Sequence, residues 1–286
     1  KGKSIEKLLN EASVQRERLV DLNLRFIRRR HSAGKDYFLV NSGDERFDGW
    51  VPIVHNAKTV LIFDPRTDTK GKATIRNGIH GETDVWVQLH PRESCVIRSL
   101  NTRFEHAPWK YILPSRPVYP LETTWHIEFI EGGPELPEPI NTQTLASWTE
   151  IGGEKARGFS GTAKYTTHFK KPDQKAEEWI LDLGEIGNSA RVYLNGKFVG
   201  TVWCRPFRIA LGDAIRDGEN LLEIEVTNLM ANRIAAMDRA GIEWKDFFFV
   251  NIDYKPFDAS SWEPLPSGLR GPVKLVPCAV STGSEN

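Results

Sequence analysis

Between Glu178 and Arg233, apolar residues alternate with polar ones in short bursts. Trp179, Leu181 and Leu183 alternate with Ile180, Asp182 and Gly184; Val192 and Leu194 alternate with Arg191, Tyr193 and Asn195. Leu222, Ile224 and Val226 form the third and most strongly apolar row, set off by Leu221, Glu223, Glu225 and Thr227. Side chains of a strand point to opposite faces in turn, so this period of two predicts half-buried strands. Asn195-Gly196 predicts a tight hairpin turn, because both residues tolerate a positive φ. Asp217-Gly218-Glu219-Asn220 predicts a second turn. Antiparallel strands at this spacing predict a β-sandwich.

The rest of the chain divides around this segment. Residues 4 to about 20 carry Ile5, Leu8, Leu9, Ala12 and Leu19 in a partial stripe at helical spacing, with Ser4 available as a cap. This predicts an N-terminal helix over 1–21. From Leu22 a hairpin is expected, LNLRFIRRR and DYFLVN around a turn at Ser32-Ala33-Gly34. WVPIV, TVLIFDP, KATIR, DVWVQL and SCVIRSL then predict five further short strands, completing a small sandwich over 22–100. Pro108, Pro114, Pro117 and Pro120 predict an extended linker over 101–122. A second sandwich is expected over 123–278, opening with the strand TTWHIEF, a Pro-rich loop, and then a loop and strand in LASWTEIGGEKARGFSGTAKYTTHF, with a tail at 279–286. The expected class is all-β: two tandem antiparallel β-sandwiches with a short N-terminal helix.

Composition excludes some partners. The 286 residues carry 38 basic and 38 acidic side chains, so no overall field draws nucleic acid or an anionic membrane surface. The run Arg28-Arg29-Arg30-His31 is therefore read as a solvated strand edge that blocks sheet-to-sheet pairing. No apolar run reaches the roughly 18 residues of a membrane span, and no signal peptide opens the sequence. The chain starts at KGKSIEKLL in the manner of an excised fragment. Cys95, Cys204 and Cys278 are too few and too scattered for a disulfide framework, leaving one bridge open. No nucleophile elbow, P-loop, dinucleotide fingerprint or HExxH occurs, and the seven His are scattered singly. The strands and helices of a (β/α)₈ barrel are absent, and no two acids sit in a context that marks a glycosidase pair. No catalytic residue is expected.

Binding chemistry is left. Sugar sites combine an aromatic platform with Asn, Asp and Arg. Trp203 and Arg205 flank one expected strand end, while Asn228, Asn232, Arg233 and Asp238 leave the next, so jelly-roll loops could bring them together. An alternative for Arg233 and Asp238 is a local ion pair bracing the loop. From Arg233 to Leu269 the strand rhythm stops. Trp244, Phe247, Phe248, Phe249, Tyr254, Phe257 and Trp262 are too many aromatics for an unpacked loop and must meet the sandwich, a neighbouring domain or a ligand. Trp262 joins the candidate sugar contacts. Structural calcium is left open: Asp182 with Glu185, or Asp253 with Asp258, could contribute oxygens, but neither has a defined ligand spacing and no metal ligand is assigned.

The stretches LDLGEIGNSARVYLNGKFVGTVWCRPFRI and GENLLEIEVTNL resemble the sugar-binding, galactose-binding-like jelly roll of family 2-type glycoside hydrolases. With the following ANR and the later LPSGLRGPVKL, the sequence resembles the C-terminal region of family 106 α-L-rhamnosidases and related bacterial proteins. The stretches FIRRRHSAGKDYFLVNSG, LIFDPRTDTKGKA and VWVQLHPRESCVIRSL extend that resemblance over most of the chain. The resemblance implies that the catalytic carboxylates lie in a barrel upstream of residue 1, and that Asn232 and Arg233 match a motif facing the active-site side. It also implies export to the periplasm or beyond, and rhamnose-containing glycans as ligands. Two alternatives stand beside this accessory role: a free-standing carbohydrate-binding protein, and a purely structural pair of domains.

Overall fold

The computed structural model describes residues 4–12, 14–244 and 257–283. The chain forms two compact units, Lys1–Leu113 with Val280–Asn286, and Pro114–Ala279. The first unit therefore takes in residues from both ends of the sequence. Gly283 lies against the side chains of Thr74 and Tyr111.

The N-terminal helix α1 covers only Ile5–Glu11. A single 3-10 turn follows at Arg18–Leu22. The expected longer helix does not form because its stripe finds no core. Ile5, Leu8 and Leu9 are exposed and only Leu19 is buried, and a short helix without a buried face is marginal.

Eight strands build the first unit: β1 (Leu24–His31), β2 (Gly34–Asn41), β3 (Phe47–Ile53), β4 (Thr59–Asp64), β5 (Thr69–Lys72), β6 (Ile75–Asn77), β7 (Thr83–Leu89) and β8 (Ser94–Leu100). One sheet runs β1-β2-β8-β4-β5 and the other β3-β7-β6, all antiparallel. Their inner faces close one core, which includes Tyr37, Leu39, Val51, Ile53, Val85 and Ile97. KATIR, expected as one strand, divides between the two sheets at Ala73-Thr74. There Ala73 N donates to Val60 O, and Thr74 N donates to the Tyr111 hydroxyl. On the outer face of β3 and β7, the opposed Trp50 and Trp86 meet edge to face at 5.1 Å.

Glu17 is buried at the edge of this core. Its carboxylate accepts from Arg28 Nη1 at 2.6 Å, the Tyr37 hydroxyl at 2.9 Å and Val54 N at 2.9 Å. Burial, reinforced by the Glu17 charge, raises the Tyr37 hydroxyl well above the ordinary phenol value. Burial raises Tyr111 and Tyr165 in the same direction, and the Cys95 thiol likewise. A folded state that holds these protons more tightly than the unfolded chain is fully stabilised below the unfolded values and loses that advantage as pH rises past them. Urea midpoints are thus expected to hold level from pH 7 to 8. They should then fall from about pH 9, with a slope near 1.4 kcal/mol per pH unit per buried phenol above about pH 10. Urea melts across pH 7–11 check this, and a level profile to pH 11 would contradict it.

Two short strands, β9 (Tyr111–Pro114) and β10 (Tyr119–Pro120), lie in the expected linker. The second unit follows with β11 (Trp125–Gly133), β12 (Ile140–Thr142), α2 (Trp148–Ile151), α3 (Gly153–Arg157) and β13 (Ser160–Lys170). It continues with β14 (Glu178–Asp182), β15 (Glu185–Gly187), β16 (Ser189–Leu194), β17 (Lys197–Val202), β18 (Arg208–Ala210) and β19 (Glu219–Thr227). Helix α4 (Ala231–Arg239), β20 (Gly268–Gly271) and β21 (Lys274–Ser281) complete it. The larger sheet runs β12-β11-β13-β19-β16-β17; β10-β21-β14-β18 run in order in the other, and β15 pairs with β20. The rows read from the sequence face inward: Trp179, Leu181, Val192, Leu194, Leu222, Ile224 and Val226 are all buried in one core. The all-β class holds, with a β-sandwich in each unit. Asn195 and Gly196 form the β16–β17 turn at φ 54° and 78°.

Two helical stretches replace expected loops. Ser147 Oγ accepts from Thr149 N and starts α2 ahead of Glu150, a capping-box spacing present in the sequence as Ser-Trp-Thr-Glu. After Asn228, the helix-favouring run Ala231 to Met237 winds into α4.

Candidate functional site

The end of β19 turns into α4 beside the segment that leads into β20, and a buried polar network fastens the two. Asn228 Oδ1 accepts from Gly161 N at 2.9 Å, and its Nδ2 donates to Phe159 O and Ser267 Oγ, both at 3.0 Å. Asn232, one turn on, accepts from Leu265 N at 2.7 Å and donates to Leu265 O at 2.9 Å and Ser267 Oγ at 3.1 Å. Ser267 N donates to Ser147 Oγ at 2.8 Å, tying in the start of α2. Both asparagines are buried with both ends of their amides engaged. This geometry gives them a bracing role, since a buried amide must be hydrogen-bonded internally.

Arg233 follows in the same helix. Its backbone N donates to Ser160 Oγ at 3.3 Å. Its side chain is half-buried and passes Gly133, where a Cβ would stand 2.8 Å from Nη1. The glycine is what admits the guanidinium. Nε is buried without a hydrogen-bond partner, and no carboxylate among the described residues forms an ion pair with the group. The expected Arg233–Asp238 brace is not made. Asp238 instead accepts from Trp244 Nε1 and Ala259 N, both at 2.7 Å, and so pins Ala259 to the end of α4.

Trp262 is 42% exposed and sits edge-on to Phe257, which in turn meets Trp244. Arg239 donates to the Trp262 carbonyl at 3.1 Å. These aromatics pack on one another, with Trp262 left partly exposed. Phe247, Phe248, Phe249 and Tyr254 lie outside the described residues.

Trp203 and Arg205 belong to a different neighbourhood. Trp203 follows β17 and is 58% exposed. Arg205 pairs with Glu185, which also receives Arg270 Nη2 at 3.2 Å. Asp182 accepts from Arg208 Nε at 2.9 Å and Gly184 N at 3.0 Å. Asp182 and Glu185 are thus taken up by arginines rather than turned together towards a cation. Asp253 lies outside the described residues, and Asp258 accepts from Ser260 N. No group of three or more metal-ligating side chains occurs among the described residues. None of the three cysteines is in a disulfide.

Ser147, Ser160, Gly133 and Ser267 are the members of this site that sequence reasoning missed. Nothing local marks Ser267 as the shared partner of two distant asparagines.

Residues 157–257, covering β13 through α4, match the family described as glycosyl hydrolase 2 galactose-binding domain-like. This part of the second unit is therefore galactose-binding-like. A protein of Formosa agariphila, provisionally named a β-glucuronidase, is 34% identical over 177 residues, which is 54% of this chain and 15% of that protein. The solved structure of a rhamnosidase from Novosphingobium sp. PP1Y aligns over 95% of this chain with a TM-score of 0.67 and 25% identity. This chain spans 26% of that rhamnosidase. Both units thus resemble parts of much longer carbohydrate-active proteins.

Proposed function

We propose that this chain is a non-catalytic accessory region of an α-L-rhamnosidase-like glycoside hydrolase, following a catalytic barrel in the parent protein. The observation that carries this reading is the alignment of 95% of the chain with only 26% of a rhamnosidase. The matched family points to carbohydrate as the ligand class. Within the second unit, Arg233 is the residue offered to a sugar: a guanidinium held against Gly133 that no carboxylate among the described residues pairs with. A guanidinium without such a counter-charge gains a charge-assisted hydrogen bond from a ligand oxygen. Rhamnose-containing glycans are the proposed ligands, and a periplasmic or secreted setting follows from that role.

The test is calorimetric titration of the purified chain with L-rhamnose, D-galactose and rhamnose-containing oligosaccharides, with and without calcium. Saturable binding with a Kd on the order of mM to tens of µM, lost in Arg233→Ala with little change in Tm, is the expected result. Absence of binding to every sugar by a folded sample would overturn the sugar-reading role. A scaffold reading would then take its place, and one observation favours it independently: the amides of Asn228 and Asn232 are spent on the protein itself.

A further inference from the structure

The core-facing side of the β1–β2 hairpin changes character along its length. Strand pairing sets Phe26 opposite Leu39, then Arg28 opposite Tyr37, then Arg30 opposite Lys35. These positions share one face because side chains alternate along a strand. β8 extends the row, with Ser99 opposite Lys35. An apolar core face therefore runs out into two directly opposed cations, an arrangement that destabilises a sheet when nothing compensates it.

The nearby carboxylates are committed elsewhere. Glu17 is held by Arg28, Tyr37 and Val54 N. Asp36 pairs with Arg98 at 2.7 Å and lies 3.6 Å from His31 Nε2. No ion pair reaches Arg30 or Lys35 among the described residues. Lys35 donates to the Val54 carbonyl, which leaves ammonium protons for another acceptor. Burial, and the charges of Arg28 and Arg30 beside it, push the Lys35 ammonium below the ordinary lysine value.

A cavity of about 330 Å³ opens at this place, lined by Arg30, His31, Ser32, Lys35, His55 and Asn101. Its walls hold two cations, two imidazoles, a hydroxyl and an amide, and no carboxylate. The His55 ring is fixed at both nitrogens, 2.6 Å from Ser99 Oγ and 2.7 Å from Asn101 Oδ1. The wall is thus positioned before any ligand arrives, which lowers the ordering cost of binding.

We propose that this mouth of the first sandwich is an oxyanion-binding site, with Arg30 and Lys35 as its clamp, taking a sulfate ester or carboxylate carried by a sugar. That the anion is sugar-borne rests on the carbohydrate reading above; the anion site itself does not.

The experiment uses the full chain and its Arg30→Ser and Lys35→Gln variants. Thermal melts in sodium sulfate are compared with melts in sodium chloride of equal ionic strength. Calorimetry then compares sodium sulfate, D-glucuronate, acetate and D-glucose. Sulfate should raise Tm saturably, and each variant should weaken sulfate at least tenfold. In chloride, Arg30→Ser should melt no lower than the wild type, because it relieves the opposed pair. An equal rise in wild type and variants would mark general salting-out by sulfate and overturn the site. D-glucuronate binding more tightly than acetate, with D-glucose silent, supports a sugar-borne anion. D-glucuronate no tighter than acetate overturns that part alone and leaves an anion site independent of the carbohydrate reading.

Discussion

Glu17→Ala is expected to lower the stability of the first unit by about 3–5 kcal/mol. The carboxylate is buried, and three donors from three places converge on it: Arg28 from β1, the Tyr37 hydroxyl from β2, and Val54 N just after β3. Removing it strands the Tyr37 hydroxyl in the core and leaves Val54 N without its acceptor. Arg28 also loses its counter-charge, next to Arg29 and Arg30 on an already basic strand. Breaking one side of a buried ionic cluster costs much more than the cluster's net worth, because the groups left behind have lost both partner and water. Glu17→Gln keeps the shape but offers only one carbonyl oxygen, and should fall between wild type and alanine. Urea denaturation of the three proteins gives the values. A loss under 1 kcal/mol for Glu17→Ala would mean that water replaces the carboxylate at no penalty.

The second large effect is expected at Asn232. Among the described residues, Asn232→Ala removes the partner of Leu265 N and one of the two donors to Leu265 O, and takes a donor from Ser267 Oγ. At about 1–3 kcal/mol for each buried group left unsatisfied, the loss should be near 3 kcal/mol. Asn232→Asp separates geometry from volume: it keeps the acceptor for Leu265 N but sets an oxygen against the Leu265 carbonyl. It should therefore be no better than alanine. Thermal melts, with tryptophan fluorescence reporting on the 257–268 segment, check both. If the network only braces the fold, a sugar-binding loss in Asn232→Ala will track the loss of stability. In Arg233→Ala, binding should disappear while stability stays.

Most of the sandwich was legible because it rests on local chemistry. Leu222, Ile224 and Val226 bury one face of β19 because the pleat sends every second side chain inward, and the sequence alternates to match. Asn195-Gly196 turns because both residues accept a positive φ. What stayed hidden depends on partners far along the chain. Asn228 and Asn232 read as ligand contacts, since polar residues leaving a strand often are. Their use becomes visible only when Ser267 arrives from 35 and 39 residues away. The burial of Glu17 had no local mark either, because its donors lie 11 to 37 residues downstream. KATIR carried a strand's composition, yet only the second sheet decides that it must break at Ala73-Thr74. The helix α4 was missed for another reason: an alanine-rich run inside a long aromatic stretch was weighed as loop. Arg30 and Lys35 were both in plain view, but their opposition needed the hairpin register.

The first unit is assembled from Lys1–Leu113 and Val280–Asn286, with the whole of the second unit threaded between them. Gly283 reaches back to Thr74 and Tyr111. During synthesis, all eight strands of the first sandwich are made before the second unit begins, and only the returning contact of Gly283 waits for about 165 further residues, some tens of seconds at the slower rates of translation. The second unit, by contrast, has all its strands only once β21 (Lys274–Ser281) has been made. The first unit thus opens first and is closed last, by Gly283 against Thr74 and Tyr111.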